Sequence, residues 1–389
     1  MAAKSGSTRD LRLDFFRGLA LFLIFIDHIP DNTLSYFTLP SIGFSDAAEI
    51  FIFISGYTAA LVYGRSMLTR GYLFASAQVL RRVWQLYVAH VFLFMIFTAE
   101  VSYLVLKFNN PMYHDELGVG DFLTEPHVAI IQALLLRFQP TFLDILPLYI
   151  VLLLVFPPVL LALREHTLVA LVPSLLLYGA VQVWGFTAHG YPEDHTWFFN
   201  PYAWQALFVL GAALGYARVA KRDLLPRWDW LVRASVLFFL ASLVIRVTWT
   251  LHGIWDEFPG LFIRQLWPVN KNNLAPVRLI HYVAMAVVVV HLVPEDAAWL
   301  RSAWARPVIL CGLNSLQIFC LGILLSVLGH LVLNEVHPGL TAQAAVNVGG
   351  ILVMIGAAAL MTWYREIDRE PPRPAAPPLP GGPAAERPA

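Results

Sequence analysis

Arg17 and His28 stand eleven residues apart in the apolar run that opens the chain. At 100° per residue this spacing returns both to one helix face, about 16 Å apart along the axis. Asp14 lies one turn before Arg17 on nearly that face and is expected to pair with it. Asp27 and Asp31 adjoin the histidine, where a carboxylate can orient the ring or support an imidazolium. Glu49, one turn into the second apolar run, needs a partner such as Arg17, Arg278 or His28. Arg278 and His281 lie one turn apart further on, with Lys271 just outside their helix. An ionisable group inside an apolar helix is costly unless it is paired or faces a polar cavity. A histidine base, carboxylates to orient it and cations for an anionic ligand are thus the chemistry on offer. A single histidine at a helix end is ordinarily an interface residue; its place on a stripe with Asp14, Arg17 and Asp27 is what points to chemistry.

The elements that hold these groups must be membrane helices. Of the 389 residues, 58% are hydrophobic and 13% charged, and the mean hydropathy is +0.64, so lipid is the solvent. The expected fold is all-α, a polytopic integral-membrane helical bundle of about ten transmembrane helices. The apolar runs place these helices near 13–30, 46–63, 83–107, 143–163, 168–186, 201–220, 231–252, 275–293, 307–332 and 343–364. The first run lacks a small-residue cleavage site and reads as a retained span. Of 26 Lys and Arg, 19 fall in the segments that share a side with the N-terminus, and Lys107, Arg137, Arg264 and Lys271 fall opposite. That bias predicts both termini in the cytoplasm and an even number of spans. Residues 1–364 form the expected membrane domain, and the proline-rich 365–389 is expected to be a disordered cytoplasmic tail. The long external loop 108–142 holds an apolar stretch too short to cross, expected to lie at the interface or re-enter the bundle.

A net charge of zero gives no nucleic-acid footprint. Cys311 and Cys320 share one apolar run, nine positions apart, with no spacing for a disulfide or a metal site, so no metal is expected. The external segments near 187–200 and 252–274 are rich in aromatic residues, which serve as membrane anchors or as stacking faces for sugars. Trp204 and Gln205, at the outer end of one run, are candidates to line an acceptor mouth. Arg246, His90 and Glu100 are further polar residues of unassigned role within the runs.

The Arg17 to His28 pattern, with FIFISGY in the next run, resembles the integral-membrane acyltransferases of type 3. RDLRLDFFRGLALFLIFIDHIP, GFSDAAEIFIFISGY, LDILPLYIVLL, FNPYAWQALFVLG, KNNLAPVR and GLNSLQIFCLGILLS are more closely similar to the OpgC branch, over nearly the whole chain except the tail. The resemblance implies an inner-membrane enzyme that succinylates osmoregulated periplasmic glucans. Succinyl-CoA would be its cytoplasmic co-substrate, with no resident cofactor. The expected partners are acyl-CoA, a periplasmic glucan and membrane lipid, with room for a homo-oligomer. The family's histidine and arginine fall on His28 and Arg17.

Acyl transfer to an alcohol needs a base, a polarised carbonyl and exclusion of water. His28 would be the base or an acyl carrier, with Asp27 or Glu49 to orient it. Arg278 would hold a distal carboxylate of the acyl group or form a structural pair with Glu49 or Asp46; Lys271 and His281 would line the same site. Arg81, Arg82, Lys221 and Arg222 would hold phosphates of the donor at the inner rim. No Gly-x-Ser-x-Gly elbow or Cys/His arrangement suggests another nucleophile. The competing class is a transporter of glucan or donor, which the sequence disfavours because neither an inverted repeat nor paired broken helices are evident. A non-enzymatic scaffold is the third reading.

Overall fold

The computed structural model describes residues 9–108, 110, 113, 116–222, 229–250 and 269–367. The proline-rich tail beyond 367 and most of the external segment 252–274 lie outside the described residues. The main helices are α1 (Leu11–Asp27), α2 (Ala47–Arg70), α3 (Tyr72–Phe108), α4 (Pro126–Leu134), α5 (Ile145–Leu154), α6 (Phe156–Glu165) and α7 (Thr167–Trp184). They continue with α8 (Pro201–Val219), α9 (Asp229–Thr250), α10 (Pro276–Leu292), α11 (Ala305–Leu313), α12 (Ser315–Leu331) and α13 (Leu340–Ile367). The chain is an all-α polytopic membrane bundle.

Its span count corrects the expectation of ten. Among the described residues six helices are long and apolar enough to cross a bilayer, or seven if α5 and α6 count as one span. Each of the other three apolar runs is helical, but α1 and α10 have 17 residues each, and α8 carries Trp204, Gln205 and Arg218. The runs match these helices to within a few residues, so the difference lies in helix length and polar content rather than in where the runs fall. α8 is largely buried, and α10 turns Arg278, His281 and Tyr282 into the bundle while Ile280, Val290 and Leu292 are exposed. The α5–α6 pair is bent by 51° around Val155, so a broken helix that the sequence did not reveal is present.

Local signals set the ends of the helices that matter here. Asp10 caps α1 by accepting from Arg12 N at 3.1 Å, and Pro30 stops the chain from continuing helically past His28. Asp46 and Glu49 form a capping box on α2, and Gly71, at φ +89°, turns the chain into α3. Asn314 interrupts the run 307–332: its Nδ2 donates to Leu310 O at 2.9 Å and Thr362 Oγ1 at 3.0 Å, separating α11 from α12. The segment 108–142 lies against α3 through α4, which buries Ala129 and Ala133.

Two helix pairs make backbone contact through glycine. Gly18 of α1 faces the Val308 carbonyl and Gly312 of α11 faces the Asp14 carbonyl, so a Cβ at either would collide. Gly56 of α2 meets Phe208 O, while Gly211 and Gly215 of α8 meet Phe53 O and Tyr57 O. In a membrane, where lipid supplies no hydrophobic drive between helices, such close packing is the main source of association. Bulky exposed residues such as Leu73, Val183, Trp184 and Leu360 cover the outside of the bundle.

Gly312→Leu or Gly211→Leu is expected to destabilise the bundle by about 1–3 kcal/mol or more. Gly179→Ala, at a position with open space around it, should change little. Thermal unfolding in detergent checks this, and equal melting points for all three variants would contradict the packing described.

Candidate functional site

α1 carries Arg17 in its second turn and His28 at its C-terminal cap, eleven residues further on. Near its start, a cavity of about 650 Å³ opens between α1, α2, α3, α5 and α8. Five arginines line it: Arg9, Arg17, Arg65, Arg82 and Arg218. Of the four cations expected at this rim Arg82 alone is there, while Arg81, Lys221 and Arg222 are not among its lining. Lining residues on α2 run from Arg65 to Phe51, so the cavity extends about 20 Å along that helix and ends within a turn of Glu49.

Asp14 does not pair with Arg17. Arg9 reaches back across the first turn and takes both Asp14 oxygens, at 2.6 and 2.8 Å. Arg17 donates instead to Thr58 Oγ1 of α2 at 2.9 Å. No carboxylate is within ion-pair distance of Arg17 among the described residues, and its guanidinium lines the cavity beside Tyr149 and Ser55. At the mouth, Arg12 holds Asp10 at 2.9 Å and Glu295 at 3.1 Å, and Arg218 also pairs with Glu295. Phe51 and Tyr149 line the cavity and form a ring cluster with Phe319; Phe51 sits 6.2 Å from Tyr149 and 6.1 Å from Phe319.

At the other end of α1, His28 is the C-cap. The two carboxylates expected to orient it are engaged elsewhere. Asp27 accepts from Thr38 Oγ1 at 2.6 Å, and Glu49 accepts from Arg278 Nε at 2.7 Å and from Asp46 N at 2.9 Å. The His28 ring lies against Phe142, with centroids 4.2 Å apart, and its Nδ1 is buried without a hydrogen-bond partner. The backbone carbonyl of His28 accepts from His330 Nε2 of α12 at 2.9 Å. Phe142 has φ +74°, a left-handed conformation costing a non-glycine residue about 1–3 kcal/mol and characteristic of sites where geometry is imposed. Neither Phe142 nor His330 stood out in the sequence, because His330 is 302 positions from the carbonyl it holds.

Beside His28 lies a four-residue ionic cluster. Arg278 bonds Glu49 and Asp46, using both partners that the sequence left open. Lys271 Nζ reaches the same Asp46 oxygen at 2.7 Å. Burial alone would lower the pKa of the Lys271 ammonium, but the Asp46 carboxylate outweighs it and raises that pKa, so the lysine is charged. Arg278 has its guanidinium committed; Lys271 keeps about a third of its side chain exposed, with N–H donors to spare. Lys271 and Asp46 are close enough to His28 to act on its charge, as is Asp144 on theirs.

Other expected site residues have structural partners. Trp204 is fully buried and donates from Nε1 to Lys271 O and Asn272 O, both at 3.1 Å. With Asn200 and Tyr178, which bond Asn273 and Leu274 O, it holds the turn bearing Lys271. It therefore cannot line an acceptor mouth. Gln205, one step round the helix, faces α7 and exchanges hydrogen bonds with Ser174 at 2.6 and 2.8 Å. His281 shares a 2.7 Å hydrogen bond with Ser45 and stacks on Phe239, away from His28. Arg246 donates to Pro40 O and covers Trp249. No group of three or more potential metal ligands occurs among the described residues.

Neither a curated protein nor a solved structure matches the chain. A family model described as OpgC protein matches residues 9–366, from the Arg9 anchor of the first helix to the end of the last. With nearly the whole bundle inside that match, the chain belongs to the OpgC protein family.

Proposed function

We propose that this protein is a membrane O-acyltransferase that draws an acyl-CoA into the arginine-lined cavity and passes its acyl group to a glucan hydroxyl at His28. Family membership implies a glucan-modifying acyltransferase role. The observation that carries the donor assignment is Arg17: a guanidinium inside an apolar bundle, facing a deep cavity and with no carboxylate within ion-pair distance among the described residues, suits an anion. Five arginines around one cleft suit the phosphates of CoA, and the length of the cleft suits its pantetheine arm.

In this reading the Arg17 side faces the cytoplasm and the His28 side the periplasm, an orientation that the bias of Lys and Arg toward the N-terminal side supports. The thioester would then pass the Phe51–Tyr149–Phe319 ring cluster to meet its acceptor. His28 takes the proton of the glucan hydroxyl, the alkoxide oxygen bonds the thioester carbonyl carbon, and the carbon–sulfur bond breaks. The thiolate of CoA leaves with the proton from the imidazolium. If the acyl group is succinyl, its distal carboxylate goes to Lys271 rather than Arg278, since Arg278 already serves two carboxylates. In a two-step variant His28 itself carries the acyl group; trapping an acylated enzyme with donor alone would support that variant.

The bent α5–α6 pair favours a second reading, a transporter of glucan or donor. Reconstituted protein with labelled succinyl-CoA and glucan separates the two. Label appearing covalently on glucan supports transfer, and passage of intact glucan or donor without label transfer supports transport.

Three variants test the parts. His28→Ala should lower the transfer rate by about 10²–10⁴-fold, and wild-type rates would contradict its role. Arg17→Gln should raise the KM for acyl-CoA by about tenfold or more, with little change in the KM for glucan; an unchanged donor KM counts against the cavity. Lys271→Gln should lower succinyl transfer more than acetyl transfer, measured with the two thioesters in parallel, and an equal loss for both would remove the lysine from acyl recognition.

A further inference from the structure

A catalytic imidazole is ordinarily oriented by a hydrogen bond to its second ring nitrogen. His28 lacks that bond: its Nδ1 is buried and bare, Asp27 belongs to Thr38 and Glu49 to Arg278. Yet the residue stands at a helix end, where a ring would be free to turn unless packing prevents it. Two remote elements supply that restraint. Phe142 lies nearly parallel to the imidazole, with centroids 4.2 Å apart and an angle of 30° between planes. His330 holds the His28 carbonyl from α12 and closes on Phe142 from the other side, at 6.0 Å between rings.

We infer that Phe142 and His330 are positioning residues that bracket His28, the aromatic face fixing the plane of its ring and the second histidine fixing its backbone. The supports of the bracket are themselves built. Phe142 occupies the left-handed region in a turn closed by Leu143 N to Pro140 O at 3.0 Å. The preceding Thr141 is tied back within the segment 108–142, through its N–H to Leu117 O and its hydroxyl to Glu116 O at 2.7 Å. That loop segment therefore ends by delivering a ring to His28. His330 is 3% exposed and follows Gly329, whose lack of a side chain lets α12 approach Ile29. On the near side, the buried Asn32–Asn347 amide pair, at 2.9 and 3.0 Å, fixes the turn that follows His28 to α13. The turn around His28 is thus pinned from α12, α13 and the loop.

The inference rests on the acyltransferase reading, and full-length protein in vesicles with labelled succinyl-CoA and glucan tests it. Phe142→Leu keeps an apolar side chain and removes the ring face; Phe142→Tyr keeps the face. His330→Leu removes the donor to His28 O; His330→Asn retains an N–H donor. The expected pattern is a fall in kcat of about ten- to a hundredfold for Phe142→Leu and His330→Leu, with the KM for donor within about twofold of wild type. Phe142→Tyr and His330→Asn should recover most of the rate, a rescue that bulk filling of the core would not discriminate. The pH profile of kcat should also move in Phe142→Leu, because the imidazole loses its packed face. If wild type transfers label and Phe142→Leu matches it in kcat and pH profile, the bracket is overturned. Equal losses in the Leu, Tyr and Asn variants, with donor KM rising in step, would overturn it too, as a general packing defect. If wild type itself transfers no label, the acyltransferase reading fails, and the positioning role falls with it.

Discussion

Arg17 is a positive charge held within an apolar bundle, and among the described residues the hydroxyl of Thr58 is its one side-chain hydrogen-bond partner. Several neighbouring cations are matched by carboxylates: Arg9 by Asp14, Arg12 by Asp10, Arg278 by Glu49 and Asp46, Lys271 by Asp46. Burying an unmatched guanidinium is expensive, and polar space has to surround it. The cavity between α1, α2, α3, α5 and α8 is that space. Much of the local architecture follows from keeping it open beside the start of α1.

The His28 end of α1 is built differently. Around His28 the carboxylates are engaged elsewhere, Asp27 by the Thr38 hydroxyl and Glu49 by Arg278, and the imidazole packs on Phe142. Arg278 and Lys271 tie α10 and the turn before it to the start of α2, so that the Asp46–Glu49 capping box is both a helix start and an ionic junction. Trp204, Asn200 and Tyr178 then fix that turn by its carbonyls and side-chain amides. Glycine contacts between α1 and α11, and between α2 and α8, set the distances on which both ends depend.

The sequence made part of this legible. Periodicity placed Arg17 and His28 on one helix, and the expense of intramembrane charge singled out Glu49 and Arg278 before any contact was known. Identity of partners was beyond it. Whether Asp14 serves Arg17 or Arg9 depends on how a side chain outside the helix folds back, and the periodicity of α1 carries no trace of Arg9. Trp204 and Gln205 stand near the start of α8, and the direction of their side chains depends on what α8 packs against. The count of ten spans failed for a related reason. An apolar run does not by itself show that a helix stops at 17 residues, as α1 and α10 do, or that it bends, as at Val155. Phe142 and His330 reach His28 only through tertiary structure.

The central claim is that one protein takes its donor at the Arg17 end and serves its acceptor at the His28 end. Sealed vesicles with the protein in a known orientation test it directly, with labelled succinyl-CoA on one side and glucan on the other. The account predicts labelled glucan when the donor is on the Arg17 side and the acceptor on the His28 side, and none in the reversed arrangement. Equal labelling with both substrates confined to the His28 side would contradict it.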